Sequence, residues 1–194
     1  MFWQECRKTV VMFILMTVLL GGVYPLAMVG VGKWVFPWQA QGSLLTQQGK
    51  VIGSALIGQS FNGPQYFHSR PSASDYNPMA SGGSNLSQTS KQLITSIEQR
   101  VKQAQHQDGH LHQPVPVDLV TASGSGLDPD ISVAAAQYQA QRVAKARHLP
   151  LAIVEKVIQQ ATVPAQFGVL GQASVNVVKL NQSLSKGKLS DNIN

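Results

Sequence analysis

Thr9–Gly32 reads TVVMFILMTVLLGGVYPLAMVGVG, 24 residues without one charged side chain. As a helix it would extend about 36 Å, against a hydrocarbon core of roughly 30 Å. Twelve of the 24 are Leu, Ile, Val or Phe. At mid-membrane they contribute about −4 to −7 kcal/mol, with no buried charge at about +2.5 to +3.5 kcal/mol to oppose insertion. Pro25 and the glycines subtract from this, and Pro25 is expected to kink the helix. Phe2 and Trp3 precede the run, and Lys33, Trp34, Phe36 and Trp38 follow it, which is an aromatic belt at both ends. Arg7 and Lys8 stand before the span and only Lys33 just after it, so the charge bias favours a cytoplasmic N-terminus. Val10–Leu20 has the length of a signal-peptide core, but no A-x-A cleavage site follows and the apolar stretch continues to Val31. An uncleaved anchor is the expectation. The chain then divides into a cytoplasmic N-terminus (1–8), a transmembrane helix (9–32) and an extracytoplasmic domain (33–194), periplasmic in a Gram-negative cell. One helix cannot line a pore, so any transport role requires partners.

Outside the span the chain remains poor in charge. Only 12% of the 194 residues are charged, against about 25% in soluble domains. The polar bulk is 22 Gln and 18 Ser. A net charge of +6 without basic clusters argues against a nucleic-acid surface. A 43% hydrophobic content argues against disorder. One cysteine excludes an internal disulfide framework.

Residues 33–194 read as one α+β domain with a small sheet. Gln39–Gly49 is expected to be a polar connection and Val51–Ile57 a strand. Residues 58–85, rich in Gly, Ser, Pro and Asn, read as an ordered loop. The spacing Asn85…Gln88 suggests a capping box. Leu86, Leu93, Ile97, Val101 and Ala104 follow at helical intervals, ending before Gln107-Asp108-Gly109. Pro116–Thr121 reads as a strand with Val117, Leu119 and Thr121 on one face. A second helix is expected over Ser132–His148, capped by Asp130 or Ser132, with Val133, Ala136, Ala140, Val143 and Ala144 inward. A third follows Pro150 with Val154, Val157, Ile158 and Ala161 inward. Val175–Leu180 reads as a final strand.

Few residues carry the mark of chemistry. Gly49-Lys50 is followed by Val51, and Gly42 is too far back, so the phosphate-loop pattern fails. The aspartyl-phosphate signature of P-type pumps is absent from the sequence. Val29-Gly30-Val31-Gly32 resembles a filter run, but a filter needs four such loops, so small-residue helix packing is expected. Ser123-Gly124-Ser125-Gly126 fits no nucleophile elbow and reads as a tight turn leading to Asp128 and Asp130 near a helix start. His106, His110 and His112 lack metal-site spacing and read as a solvated loop. Cys6 reads as an ordinary reduced thiol. Tyr66-Phe67-His68-Ser69-Arg70-Pro71 and Tyr76-Asn77-Pro78 differ. They place aromatics and an Arg where little core can form, as recognition loops do, although Arg70 could instead pair with Asp75 or cap carbonyls.

Together these segments resemble the C-subunit family of the bacterial Kdp potassium-transporting ATPase. The matching stretches are Gly53–Phe61, Tyr66–Ser72, Tyr76-Asn77, Ser81–Leu86, Val115–Pro129, Arg142–Ala144 and Val175–Val177. With the span they cover about residues 5 to 184, and the long, irregular Val115–Pro129 run is the most specific. Three places depart from the family pattern: Ser87–Ser90, Asp130 and Gly171–Ser174. The resemblance implies a single-span accessory subunit of an inner-membrane uptake complex, not catalytic by itself and required for assembly and activity. Its partners would be a channel-like potassium-binding subunit, a P-type ATPase subunit and a small membrane peptide. ATP and K⁺ would be used by the complex, with no cofactor or metal bound by this chain. The family is also described as aiding ATP binding, with Ser81-Gly82-Gly83-Ser84 in the region compared to nucleotide signatures. A cytoplasmic N-terminus would put that run outside, away from ATP. Arg70, Tyr76 and Asn77 are the expected partner contacts. The rival readings are a membrane-anchored serine hydrolase using Ser123 or Ser125 with a His, and a periplasmic ligand-binding module.

Overall fold

The computed structural model describes residues 2–47 and 49–185. Residue 1 of the expected N-terminal segment, and residues 48 and 186–194 of the expected outer domain, lie outside the described residues. The chain divides into two compact units, Met1–Leu44 and Leu45–Asn194.

The first unit is dominated by one helix, Phe2–Val35, of 34 residues. It comprises α1 (Phe2–Val18), a π-helical segment Leu19–Val23 and α2 (Tyr24–Val35). None of these residues is buried, so the helix presents an apolar surface more than six turns long. The π segment sits just ahead of Pro25. Proline has no N–H to give the preceding turn and its ring crowds that turn's carbonyl. Here Tyr24 N–H bonds to Leu19 O, five residues back, and the helix absorbs the proline by widening. A short α3 (Pro37–Ala40) follows, and Trp38 Nε1 donates to Leu44 O at 3.1 Å.

In the second unit β1 (Leu44–Gln47, which begins at the boundary) and β2 (Lys50–Ser54) form a two-stranded sheet. The expected strand over Val51–Ile57 is thus shorter. It stops where Ser54 Oγ accepts from Leu56 N–H and turns the chain. The segment read as a polar connection contains α3 and β1. A long irregular stretch leads to α4 (Lys91–Asp108). α4 starts later than Asn85, which has φ +51 and cannot open a helix. Ser90 is the cap, its hydroxyl accepting from Leu93 N–H at 3.5 Å. Gly109, at φ +76, ends it.

The expected strand Pro116–Thr121 is a 3₁₀ turn, Val117–Leu119. Thr121 Oγ1 donates back to Val117 O at 2.8 Å, and Pro116 lacks the N–H a ladder would use. Val120 is buried and Val117 exposed. β3 (Asp130–Ser132), β5 (Ser174–Asn176) and β4 (Thr162–Val163) form an antiparallel sheet in the order β3-β5-β4, with Ile131 and Thr162 both opposite Val175. α5 (Val133–Arg147) is capped by Ser132 Oγ on Ala135 N–H, and α6 (Leu151–Ala161) follows. The final expected strand ends after Asn176. Asn176 Oδ1 accepts from Lys179 N–H, and α7 (Val177–Ser185) begins, burying Val177, Val178, Leu180, Asn181 and Leu184 on one helical face. The core packs α5, α6, α7 and the three-stranded sheet around Phe67, Ile131, Val143, Val154, Val175 and Leu180. The fold is therefore α+β with a separate apolar N-terminal helix.

Candidate functional site

The residues singled out in the sequence meet where 66–86 packs against 121–129. Arg70 reaches Asp128 at 3.3 Å and Thr121 Oγ1 at 3.5 Å, not Asp75. Its Nε is buried without a hydrogen-bond partner. Tyr76 O–H donates to Arg70 O at 2.7 Å, and Ser72 Oγ accepts from both Ser74 N–H and Tyr76 N–H. Asp75 and Tyr76 have φ +52 and +57, so this hydroxyl holds a turn that ordinary side chains rarely adopt. Asn77 Oδ1 then accepts from Met79 N–H and opens a 3₁₀ turn that exposes Met79.

Ser81–Ser84 lies alongside the Ser123–Gly126 turn. Gly82 N–H and Ser81 O–H both donate to Ser125 O, at 2.8 and 2.9 Å. A Cβ on Gly83 would stand 3.2 Å from Gly124 O, and one on Gly126 would stand 2.5 Å from Ser74 Oγ and 2.8 Å from Gly82 O. Gly83 and Gly126, one from each run, let the two chain segments touch. Ser123 is buried and its hydroxyl has no hydrogen-bond partner. Ser125 Oγ accepts from Leu127 N–H. Neither serine hydroxyl is hydrogen-bonded to a histidine, the pairing a nucleophile would use.

His106 and His112 are exposed, while the His110 ring lies 3.1 Å from Tyr138 O. Among the described residues no three His, Cys, Asp or Glu side chains gather as a metal site. Cys6 is a free, half-buried thiol.

Behind this junction lies a polar set that the sequence reading did not single out. The backbone of 64–68 has no strand partner, and side chains take a strand's place. Arg142 Nη1 donates to Pro64 O and Tyr66 O, at 2.7 and 2.9 Å. Asn181 accepts from Phe67 N–H and donates to Phe67 O, while Gln139 does both for His68. Arg147 Nε donates to Gln65 O at 2.7 Å and its guanidinium lies over the Tyr66 ring. The Arg142 charge is matched by Asp108 at 2.6 Å, with both side chains under a tenth exposed. The available signal was Gln139 and Arg142 standing inside the apolar stripe of α5. A polar residue there must find buried partners.

This environment sets the local electrostatics. Burial, then the nearby Arg142 charge, lowers the His68 pKa below its usual value. His68 Nε2 lies 3.3 Å from Gly63 O, an acceptor, so a neutral ring would carry its proton there. Burial raises the Tyr76 phenol, and burial raises the Asp130 carboxyl despite the bond from Asn176 Nδ2.

The family model described as K⁺-transporting ATPase, c chain (KdpC) matches residues 6–186. A potassium-transporting ATPase KdpC subunit of Acidobacterium capsulatum is 55% identical over 185 residues, covering 94% of this chain and 98% of that protein. Those of Burkholderia orbicola and Methylococcus capsulatus are 50% and 49% identical over 181 residues, covering 92% of this chain and 94% and 95% of theirs.

Proposed function

This chain belongs to the KdpC family of K⁺-transporting ATPase c chains, and from that premise we propose that it is the non-catalytic accessory subunit of an ATP-driven potassium uptake complex. The helix Phe2–Val35 anchors it in the inner membrane, with Arg7 and Lys8 on the cytoplasmic side and the α+β domain in the periplasm. It is needed for assembly and activity with a channel-like potassium-binding subunit, a P-type ATPase subunit and a small membrane peptide. ATP and K⁺ are used by the complex, and this chain holds no cofactor or metal of its own. Nucleic acid is not a partner. Arg70, Tyr76 and Asn77 shape a partner-facing turn around Met79. The Gly82 N–H bond to Ser125 O and the close approach of Gly83 to Gly124 support a structural role for Ser81–Ser84.

The observation that carries this reading is the helix without one buried residue, an apolar surface of the length and composition that lipid and other membrane helices cover. Deleting residues 1–32 and co-expressing the rest with the other subunits tests it. Loss of this chain from the purified complex is expected. Full, stable assembly of the truncated chain would overturn the anchoring.

A further inference from the structure

The second unit carries an apolar knob that the core does not use. Between β4 and β5 the chain makes a tight excursion, with Phe167, Val169 and Leu170 exposed by 84, 79 and 57% and Val163 beside them by 59%. The knob is built, not slack. Gln166 and Leu170 exchange both backbone hydrogen bonds at 2.9 Å, and Gly168 N–H donates to Ala165 O at 2.9 Å. Phe167 sits at φ +55 ahead of Gly168 at +77. For a bulky aromatic that backbone setting is unfavourable, and it is sustained here to aim a ring at solvent.

The surrounding sequence prepares for burial. From Val157 to Val178, 22 residues, there is no Asp, Glu, Lys, Arg or His. Docking through this run would bury none of its own side chains as a charge, in keeping with the depletion of charge at the centre of protein interfaces and their aromatic anchors. Lipid is the weaker candidate, because the residues expected at a bilayer interface lie elsewhere in this chain. Its span is flanked by Trp3, Trp34 and Trp38 with Arg7, Lys8 and Lys33, the pattern of interfacial anchoring. The knob has neither tryptophan nor a basic residue. Its fixed turn also suits a shaped pocket, which a fluid bilayer does not provide.

We infer that the Val163–Leu170 knob docks into an uncharged, apolar pocket on another subunit of the same complex, with Phe167 as the anchor. This rests on the accessory-subunit reading above. The test uses the full-length chain co-expressed with the other subunits, with a photoreactive phenylalanine analogue at position 167. Irradiation is expected to give an adduct with one other subunit. Phe167→Gly removes the ring and relieves the positive φ, so the variant should melt no lower than the parent. It should nevertheless be recovered about tenfold or more poorly with the complex after detergent washing. An adduct with lipid only, no adduct, or undiminished recovery of Phe167→Gly overturns the assignment. If the unsubstituted chain recovers no other subunit, the accessory-subunit reading itself fails and the assignment falls with it.

Discussion

Arg142 does the work of a missing β-strand. One guanidinium neutralises Asp108 and satisfies two carbonyls of the 64–68 segment, and it also donates to Gln139 Oε1 at 2.9 Å. Arg142→Met would leave a buried carboxylate and two carbonyls unpaired. A loss of about 3–5 kcal/mol is expected, read as a fall in melting temperature of about 10 °C or more for a domain of this size. Arg142→Lys should not restore it, because an ammonium cannot span those acceptors in the plane of a fork. His68, on the same segment, adds a pH dependence. Its folded pKa lies below the ordinary value, so its stabilisation is present above about pH 6.5 and is lost as pH falls through the lower folded value. His68→Gln keeps a donor for Gly63 O and does not titrate. The variant should show a shallower loss of melting temperature than the parent as pH falls below about 6.5.

Elements were legible where one signal outweighed the rest. α5 follows the reading from Ser132 onward, because a hydroxyl cap and a 3.6-residue apolar stripe agree there. The apolar N-terminal helix was legible from composition, since a run of 24 uncharged residues, half of them Leu, Ile, Val or Phe, suits a long helix. Val175–Leu180 was misread because a short Val-rich run suits strand and helix alike. The deciding group was one side-chain cap, Asn176. Pro116–Thr121 failed for a similar reason. Alternating residues imitate a strand, but Asp118 Oδ2 leaves to accept from Ser132 N–H at 2.7 Å and the chain coils. In the candidate site, Tyr76, Arg70 and the glycine runs stood out in the sequence. Their pairing with Asp128 and Ser125 did not, because contacts 44 and 58 residues apart leave no local pattern. At this scale Leu15→Arg tests the span. A charge near its middle costs about 2.5 to 3.5 kcal/mol, so a marked fall in the membrane-integrated fraction is expected on carbonate extraction.

At the scale of the whole molecule, the two units differ in how their apolar residues are used. Among the described residues, every member of the hydrophobic core cluster lies between Phe67 and Leu184. The apolar residues of the N-terminal helix are therefore not part of it. The low charge of the chain does not come from the span alone. Residues 33–194 carry only 13 basic and 8 acidic side chains, and among the described residues its ion pairs, Arg142 with Asp108 and Arg70 with Asp128, are both internal to the domain. A domain stabilised in this way should fold without its anchor. Removing residues 1–36 is expected to leave the melting temperature within about 3 °C of the full-length value in detergent, under roughly 1 kcal/mol. The same deletion should move the protein from the membrane fraction to the soluble one. Calorimetry together with sedimentation of both forms checks this. A collapse of the melting transition on truncation would mean that the span supports the domain's fold as well as its attachment.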